Sequence, residues 1–211
     1  MTSILPMTLP ADLSVTVVKR GPWGKADILR FTYDGGEAIL KDFSAKSAPV
    51  RWLGRRQLRS ERRALEGLAG VAGVPAILGD LPPYGLFLQP MRGDAITRWR
   101  RRPRPEIGPM LERLAVLVDR IHARGVAHLD LRKRDNILVA PDGTPSVIDF
   151  NASVSFRPGS LGARLVFPML RAIDRSALLK WKALLLPDQL TPAERRRHRR
   201  MSRIRRLWIF N

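Results

Sequence analysis

The sequence contains no cysteine in its 211 residues. Disulfide bonds, thiol catalysis and cysteine-ligated metal centres are therefore excluded, and a reducing compartment is a natural environment for the chain. Histidine is also scarce, with three residues at positions 122, 128 and 198. We expect no zinc cluster, because thiolate ligands are absent and imidazole ligands are few.

Long apolar runs are missing as well. The amino terminus lacks the charged start and apolar core of a signal peptide. The most apolar late stretch, residues 161–186, is interrupted by charged side chains, namely Arg164, Arg171, Asp174, Arg175, Lys180 and Lys182. We therefore expect no membrane-spanning segment. The length fits one domain, or one small two-lobed domain, better than two independent domains.

Two short apolar runs, 137–140 and 147–150, flank a Pro-Asp-Gly-Thr turn and predict a β-hairpin centred on Asp142-Gly143. Pairing about that dipeptide places Asn136 opposite Asp149. An amide oxygen and a carboxylate then meet at one end of the hairpin, and these are ligands that suit nucleotide-bound magnesium. Asp130 lies just upstream, within reach as a general base. The plain alternative is that Asn and Asp simply occupy strand ends and turns.

The same stretch resembles the catalytic core of the protein-kinase-like superfamily, in which His-Arg-Asp-Leu precedes an asparagine and then Asp-Phe-Gly. Here His128 to Leu131 reads His-Leu-Asp-Leu, and thirteen residues separate Asn136 from Asp149. The resemblance implies an α+β, protein-kinase-like two-lobed fold, with a small β-rich lobe at 1–89 and a reduced, mainly helical lobe at 90–211. It also implies that ATP and Mg2+ bind between the lobes, with Asp130 as the catalytic base and with Asn136 and Asp149 as metal ligands.

Three positions depart from the family pattern. Asp130 and Asn136 are six residues apart rather than the usual five, so Asp135 competes for the metal role, and Asn136 is preferred because Ile-Leu-Val follows it. Leu129 replaces the arginine that senses activation-loop phosphorylation in regulated protein kinases, so we do not expect that switch. Asn151 replaces the glycine of Asp-Phe-Gly, and asparagine is the non-glycine residue that best tolerates a left-handed backbone.

A lysine and a glutamate complete the predicted site. The run 38–41 follows Gly35-Gly36 and resembles the family's third strand, so Lys41 is predicted to bind the nucleotide's α- and β-phosphates. On a helix over 51–69, Glu61 falls within the roughly 80° arc of the leucines, at positions 58, 65 and 68, while Glu66 lies outside it. A carboxylate on an apolar stripe needs a cation, so Glu61 is predicted to pair with Lys41. The alternative is a pair with a neighbouring arginine.

A glycine-containing loop, Arg-Gly-Pro-Trp-Gly-Lys at 20–25, lies between predicted strands at 15–19 and 28–33. Gly21 and Gly24 could let backbone amides approach a nucleotide phosphate. Pro22 and Trp23 are unusual in a flexible cover, so a plain hairpin turn is the alternative.

The formal net charge is +19. Eight arginines fall between 195 and 206, just before Leu-Trp-Ile-Phe at 207–210, and a second basic cluster lies at 98–104. Such sequences suit an anionic membrane surface, where each cation contributes on the order of 1 kcal/mol. We predict peripheral binding to the inner face of the cytoplasmic membrane. Nucleic-acid binding and an ordinary solvated surface are the alternatives.

Only 60 residues follow Asn151, with no Ala-Pro-Glu motif and no long segment to seat a peptide. Together with the charge, this brevity resembles the short bacterial lipopolysaccharide-core sugar kinases and their RIO-like relatives. That resemblance implies an ATP-dependent kinase whose acceptor is a lipid-linked heptose or Kdo. A protein serine/threonine kinase remains an alternative, as does a pseudokinase or RNA-binding scaffold.

Overall fold

The computed structural model describes residues 14–33, 36–157 and 159–207. Its strands are β1 (Ser14–Lys19), β2 (Asp27–Tyr33), β3 (Gly36–Asp42), β4 (Ile77–Leu81), β5 (Gly85–Leu88), β6 (Asp94–Ala95), β7 (Val126–Ala127), β8 (Ile137–Val139), β9 (Pro145–Val147) and β10 (Val154–Ser155). Its α-helices are α1 (Ala48–Gly67), α2 (Arg104–Ala123), α3 (Leu161–Leu165), α4 (Phe167–Leu185) and α5 (Pro192–Leu207). Short 3-10 helices lie at Ile96–Arg101, Arg134–Asn136, Phe150–Ala152 and Pro187–Gln189. The predicted α+β class is confirmed.

The first part of the chain forms a five-stranded antiparallel sheet in the order β1-β2-β3-β5-β4. β1 and β2 are rich in β-branched and aromatic residues, which favour a pleated strand. Both strands confirm the predicted runs at 15–19 and 28–33, while the predicted Gly35-Gly36 turn lies partly outside the described residues. β3 is flanked on both sides, so Lys41 is paired with Ile28 in β2 and with Leu86 in β5. The lysine is thus held on a central strand.

Helix α1 packs against the sheet through one side. Pro49 lies in its first turn, where the fixed φ of proline suits a helix start. Its buried positions, Val50, Gly54, Leu58, Glu61, Ala64 and Leu65, recur at helical spacing. At Gly54, an added Cβ would lie 2.4 Å from Cγ of Phe43. Only glycine therefore allows the helix to approach Phe43 this closely.

The second part of the chain is mainly helical. One face of α2 is apolar and buries Leu114, Leu117, Val118 and Ile121. The helix ends at Ala123, and Gly125 follows with a φ of 76°, the left-handed backbone that commonly terminates helices. A single cluster of buried side chains joins both parts, because Leu58 of α1 belongs to it together with Leu114 of α2 and Trp181 of α4.

The predicted hairpin is present, but its predicted register was wrong by one residue. β8 pairs with β9 so that Ile137 lies opposite Val147 and Val139 lies opposite Pro145. The loop contains three residues, 141–143, because the Ala140 N–H donates to the carbonyl of Thr144 and Gly143 has a φ of 81°. A three-residue hairpin loop with a left-handed last residue shifts the register relative to a two-residue turn. The backbone carbonyl of Asn136 therefore accepts the N–H of Ile148, at 2.9 Å. Asn136 lies opposite Ile148 and not opposite Asp149.

Of the helices in the described part of the chain, none has the length and hydropathy needed to cross a bilayer.

Candidate active site

A cavity of about 600 Å3 lies between the five-stranded sheet and the helical part. Apolar side chains form much of its wall, among them Val18, Ile28, Leu88, Leu138 and Ile148. The polar and charged residues that line it are Lys19, Lys25, Arg30, Lys41, Gln89, Lys133, Asp135, Asn136, Asp149 and Asn151. An apolar cleft with a few convergent polar groups is typical of a small-molecule site.

Lys41 makes the ion pair predicted for it with Glu61. Its Nζ lies 2.6 Å from Oε1 and 2.8 Å from Oε2 of that carboxylate, which is fully buried. The same Nζ donates to Oδ1 of Asp149 at 2.9 Å. Glu66, in contrast, is exposed and pairs with Arg62 one helical turn away. The helical stripe therefore identified the correct glutamate.

Burial and charge act against each other in this network. Burial would lower the pKa of Lys41, but the carboxylates of Glu61 and Asp149 outweigh it and raise that pKa above its ordinary value. Burial would raise the pKa of Asp149, but Lys41 and Lys133 hold it well below its usual range. Burial raises the pKa of Glu61, and Lys41 opposes that rise. Lys41 and Asp149 are thus both charged at neutral pH.

The predicted base and the predicted metal ligand are joined by hydrogen bonds. Nδ2 of Asn136 donates to the backbone carbonyl and to Oδ2 of Asp130, each at 3.0 Å. Asp130 is half-buried, while Asn136 is buried at the end of the short 3-10 helix that precedes β8. The 3-10 turn therefore lies within the six-residue step from Asp130 to Asn136.

Asn136 is better suited than Asp135 to hold a metal ion. Oδ1 of Asn136 is buried and has no hydrogen-bond partner among the described residues, although the side chain lines the cavity. Asp135 is half exposed and pairs with the adjacent Arg134. Within 14–33, 36–157 and 159–207, no group of three His, Cys, Asp or Glu side chains could hold a metal. A magnesium ion here would use Asn136 and Asp149, with its other ligands from water and phosphate.

His128 supports the backbone of the loop that carries Asp130. It is fully buried, and burial lowers the pKa of its imidazole. Nδ1 accepts the N–H of Asp130 at 3.2 Å, and Nε2 lies 3.0 Å from the carbonyl of Ile148. The neutral ring with hydrogen on Nε2 satisfies both contacts. His128 therefore ties the segment of Asp130 to the segment of Asp149.

Sequence reasoning missed Asp174, which was noted only as a charge interrupting an apolar stretch. This buried carboxylate of α4 accepts the N–H groups of His128 and Leu129, each at 2.8 Å, and lies 2.9 Å from Nε2 of His122. It holds Leu129 in a left-handed backbone with a φ of 66°. Asp174 is separated from the loop by more than 40 residues, so no local pattern could have linked them.

Lys133 was also missed. Its Nζ lies 3.3 Å from Oδ2 of Asp149, so that carboxylate is placed between two lysines. The basic run Arg-Lys-Arg directly after the His-Leu-Asp-Leu motif was the available signal. Two ammonium groups in one cleft favour an anionic ligand such as a phosphate.

The left-handed backbone expected at Asn151 lies instead at Asp149, whose φ is 69°. Asn151 is part of the 3-10 helix Phe150–Ala152 and donates from Nδ2 to Oδ1 of Asp149 at 2.6 Å. The backbone therefore turns at Asp149, and the side chain of Asn151 orients the Asp149 carboxylate. A positive φ is tolerated by aspartate better than by most residues.

Hydrogen bonds to Asp27 and from Gln57 hold the glycine-containing loop. Gly21 lines the cavity and donates its N–H to Oδ1 of Asp27, which also accepts from Lys46 at 2.6 Å. A Cβ on Gly21 would lie 2.1 Å from the carbonyl oxygen of Ala26, so glycine is required there. Gly24 is not among the residues lining the cavity, and its carbonyl accepts from Gln57 of α1. Of the two predicted glycines, only Gly21 adjoins the site.

No protein-family model matches the chain. A curated protein of Streptomyces coelicolor, named probable SapB synthase, is 30% identical to it over 178 aligned residues. The similarity covers 69% of this chain but 19% of that protein, so the chain spans less than two thirds of the curated relative it matches. The relative's name therefore describes a much larger protein than the part that is shared.

Proposed function

We propose that the chain is an ATP- and Mg2+-dependent phosphotransferase with a protein-kinase-like fold. The observation that carries this proposal is the convergence of Lys41, Asn136 and Asp149 on one cavity, with Asp130 bound to Asn136. The five-stranded sheet with helix α1, followed by a mainly helical part, is compatible with two lobes divided near residue 89.

Each side chain has a role that its contacts support. Lys41, held by Glu61, binds phosphate oxygens of ATP, and Lys133 adds a second cation at the same cleft. Asp130 accepts the proton of an acceptor hydroxyl as that oxygen bonds to the γ-phosphorus. The bond from the γ-phosphorus to its bridging oxygen breaks, and ADP leaves. Catalysis is then mainly positioning and charge neutralisation.

Asn136 and Asp149 would hold magnesium, which supplies positive charge to the phosphates when it is bound. The unpartnered Oδ1 of Asn136 supports this assignment, because a buried amide oxygen without a partner carries a desolvation cost that a cation would offset. The low pKa of Asp149 keeps a carboxylate available at physiological pH.

The acceptor we propose is a lipid-linked sugar of the lipopolysaccharide-core type, at the inner face of the cytoplasmic membrane. The net charge of +19 and the arginines of α5 support a membrane location. A second candidate comes from the similarity to a probable SapB synthase, under which the acceptor is an intermediate in SapB synthesis.

The phosphotransfer proposal is tested by Asp149→Ala. We expect circular dichroism to show that the variant remains folded. Its rate of ADP release should fall at least about a hundredfold, because charge stabilisation at the phosphates is lost. Asp135→Ala is the matched control and should retain near wild-type turnover. Substantial turnover by Asp149→Ala would refute the metal assignment. Loss of turnover in Asp135→Ala alone would identify Asp135 as the metal ligand instead.

The acceptor is identified by mass spectrometry of the inner-core glycolipid from cells with and without the protein. Loss of one phosphate supports the lipid-linked sugar. Phosphorylation of generic proteins, or of itself, would instead favour a protein kinase. Undetectable ADP release with every acceptor, together with tight RNA binding, would favour a pseudokinase scaffold.

A further inference from the structure

The outer side of α1 is basic and carries an exposed tryptophan. Trp52 is 69% exposed. The exposed arginines that share its side of the helix, at the three- and four-residue spacing of one face, are Arg55, Arg56, Arg59 and Arg63. Glu61, the acidic residue between them, points inward to Lys41. This side of α1 therefore presents cations and one large aromatic to solvent.

A second exposed feature, the α3–α4 ridge, is apolar. It consists of Leu161, Leu165 and Met169, which are 75%, 77% and 62% exposed. The opposite side of the same segment buries Phe167 and Leu170 in a cluster with Ala127. This segment therefore already contributes one side to the protein core, and the exposed ridge is a separate apolar surface.

The two features adjoin each other. Arg63 of α1 and Arg157, shortly before the ridge, line one shallow pocket of about 550 Å3, together with Phe156 and Arg124. Ser60 of α1 also donates to the carbonyl of Ser153. The outer side of α1 and the α3–α4 ridge therefore belong to one surface, which we call the basic-apolar face.

Negative charge is scarce on this face. The acidic side chain that shares the outer side of α1, Glu66, is already paired with Arg62. Residues 152–173 contain no acidic side chain and include Arg157, Arg164 and Arg171. Among the residues that the structure describes, no carboxylate lies within ion-pair distance of Arg59, Arg63 or Arg157. The face thus combines uncompensated cations with large apolar side chains.

We propose that the basic-apolar face docks on an anionic lipid bilayer, with the ridge leucines in the hydrocarbon boundary and the arginines at the headgroups. A phosphate backbone would satisfy the arginines but would leave Leu161 and Leu165 in water. Aliphatic side chains gain most from a lipid interior, so charge and apolarity together favour a membrane over nucleic acid.

Docking by this face would orient the active site. The inner side of α4 carries Asp174, which binds the backbone of His128 and Leu129 next to Asp130. A ridge resting on the bilayer would therefore place the proposed base close to the headgroup layer. This inference rests on the proposed membrane location, but it does not depend on the phosphotransfer chemistry.

The test is sedimentation of the full chain with vesicles of phosphatidylcholine and phosphatidylglycerol, compared with phosphatidylcholine alone. The double variant Leu161→Asp, Leu165→Asp should partition onto anionic vesicles at least about tenfold less than wild type. Its matched control is Val116→Asp, Leu184→Asp, which places the same charges at exposed apolar positions outside the face. The control should bind nearly as wild type.

A second pair of variants separates position from total charge. Arg55→Glu, Arg59→Glu should also reduce binding about tenfold or more, since both cations lie on the face. Arg100→Glu, Arg101→Glu makes the same change of net charge in the other basic cluster and should have a much smaller effect. Equal losses for the two pairs would overturn the proposal, because net charge alone would then explain binding.

Hydrogen exchange of the wild-type chain keeps the test independent of variant folding. Anionic vesicles should slow amide exchange across α3 and the outer turns of α1. Unchanged exchange there, or tight single-stranded RNA binding without vesicle binding, would reject the bilayer as partner. Soluble-acceptor turnover measured on the same samples separates the two proposals: a wild type that binds vesicles but releases no ADP refutes only the phosphotransfer.

Discussion

The ammonium of Lys41 is shared by two carboxylates, one fully buried and one at the cavity wall. Removing a charge from water carries a penalty of several kcal/mol, which is offset only when partners are close and well aligned. Here the Glu61 contacts of 2.6 and 2.8 Å meet that condition. The N–H of Phe150 also donates to Glu61, so the pair fixes the backbone that carries Asp149.

Glu61→Ala should therefore lower the free energy of unfolding by about 3 kcal/mol, because Lys41 loses its buried partner and keeps only Asp149. Glu66→Ala, on the same helix but at an exposed ion pair, should cost less than about 1 kcal/mol. Urea denaturation of both variants measures the difference. Equal costs would show that the buried pair contributes no more than a surface pair.

His128 predicts a pH dependence of stability. Because burial lowers the pKa of His128 below its ordinary value of 6.5, the unfolded chain takes up a proton that the folded protein does not. The free energy of unfolding should thus be fully maintained above about pH 6.5 and fall as pH decreases below it, by up to about 1.4 kcal/mol per pH unit.

His128→Gln should remove this part of the pH dependence, since glutamine does not titrate. The measurement is urea denaturation of wild type and variant at several pH values between 7.5 and 5. At the highest pH, the difference reports only the lost packing and hydrogen bonds. Parallel curves over the whole range would contradict a buried neutral imidazole.

Between elements, the distance from α1 to β3 decides whether Glu61 can meet Lys41. Gly54 is the contact point, because the ring of Phe43 occupies the space where a Cβ would be. Sequence periodicity placed Glu61 on the buried side of α1, but the closeness of the approach depends on Gly54 of that helix and on Phe43, the residue that follows β3.

Gly54→Ala should consequently destabilise the protein by about 1–3 kcal/mol through overpacking, even though alanine is the better helix former. Turnover should fall too, as Glu61 is displaced from Lys41. Gly67→Ala is the control, because its Cβ would make an ordinary 3.9 Å contact with Val126. Thermal unfolding of both variants checks the prediction, and a stabilised Gly54→Ala would refute tight packing of α1 against Phe43.

For the whole molecule, 38 basic residues against 19 acidic ones create a positive field that favours anionic partners. Helix α5 concentrates arginines, among them Arg196, Arg199 and Arg200. The apolar run predicted to accompany them begins at Leu207, and residues 208–210 lie outside the described residues.

Charge reversal of the tail, Arg196→Glu, Arg199→Glu, Arg200→Glu, should weaken anionic-vesicle binding while leaving turnover of a soluble acceptor unchanged. Each substitution changes the charge by two units and removes attraction on the order of 1 kcal/mol per lost cation. Vesicle sedimentation and ADP release are measured on the same preparation. Unchanged partitioning would count against a membrane role for the tail.

The sequence alone determined what depends on local pattern. Alternation located β1 and β2, helical periodicity selected Glu61 over Glu66, and motif spacing marked Asp130, Asn136 and Asp149 as one candidate site. These features were accessible because strand and helix periods are set by backbone geometry within a few residues.

Only the tertiary structure decided the features that join distant segments or depend on turn geometry. The hairpin register followed from a three-residue loop, the left-handed residue was Asp149 and not Asn151, and Asp174 of α4 reached the backbone of His128 and Leu129. The pocket that α1 shares with residues 155–157, just before the α3–α4 ridge, is of the same kind. Such contacts arise from packing between elements, which no local period encodes.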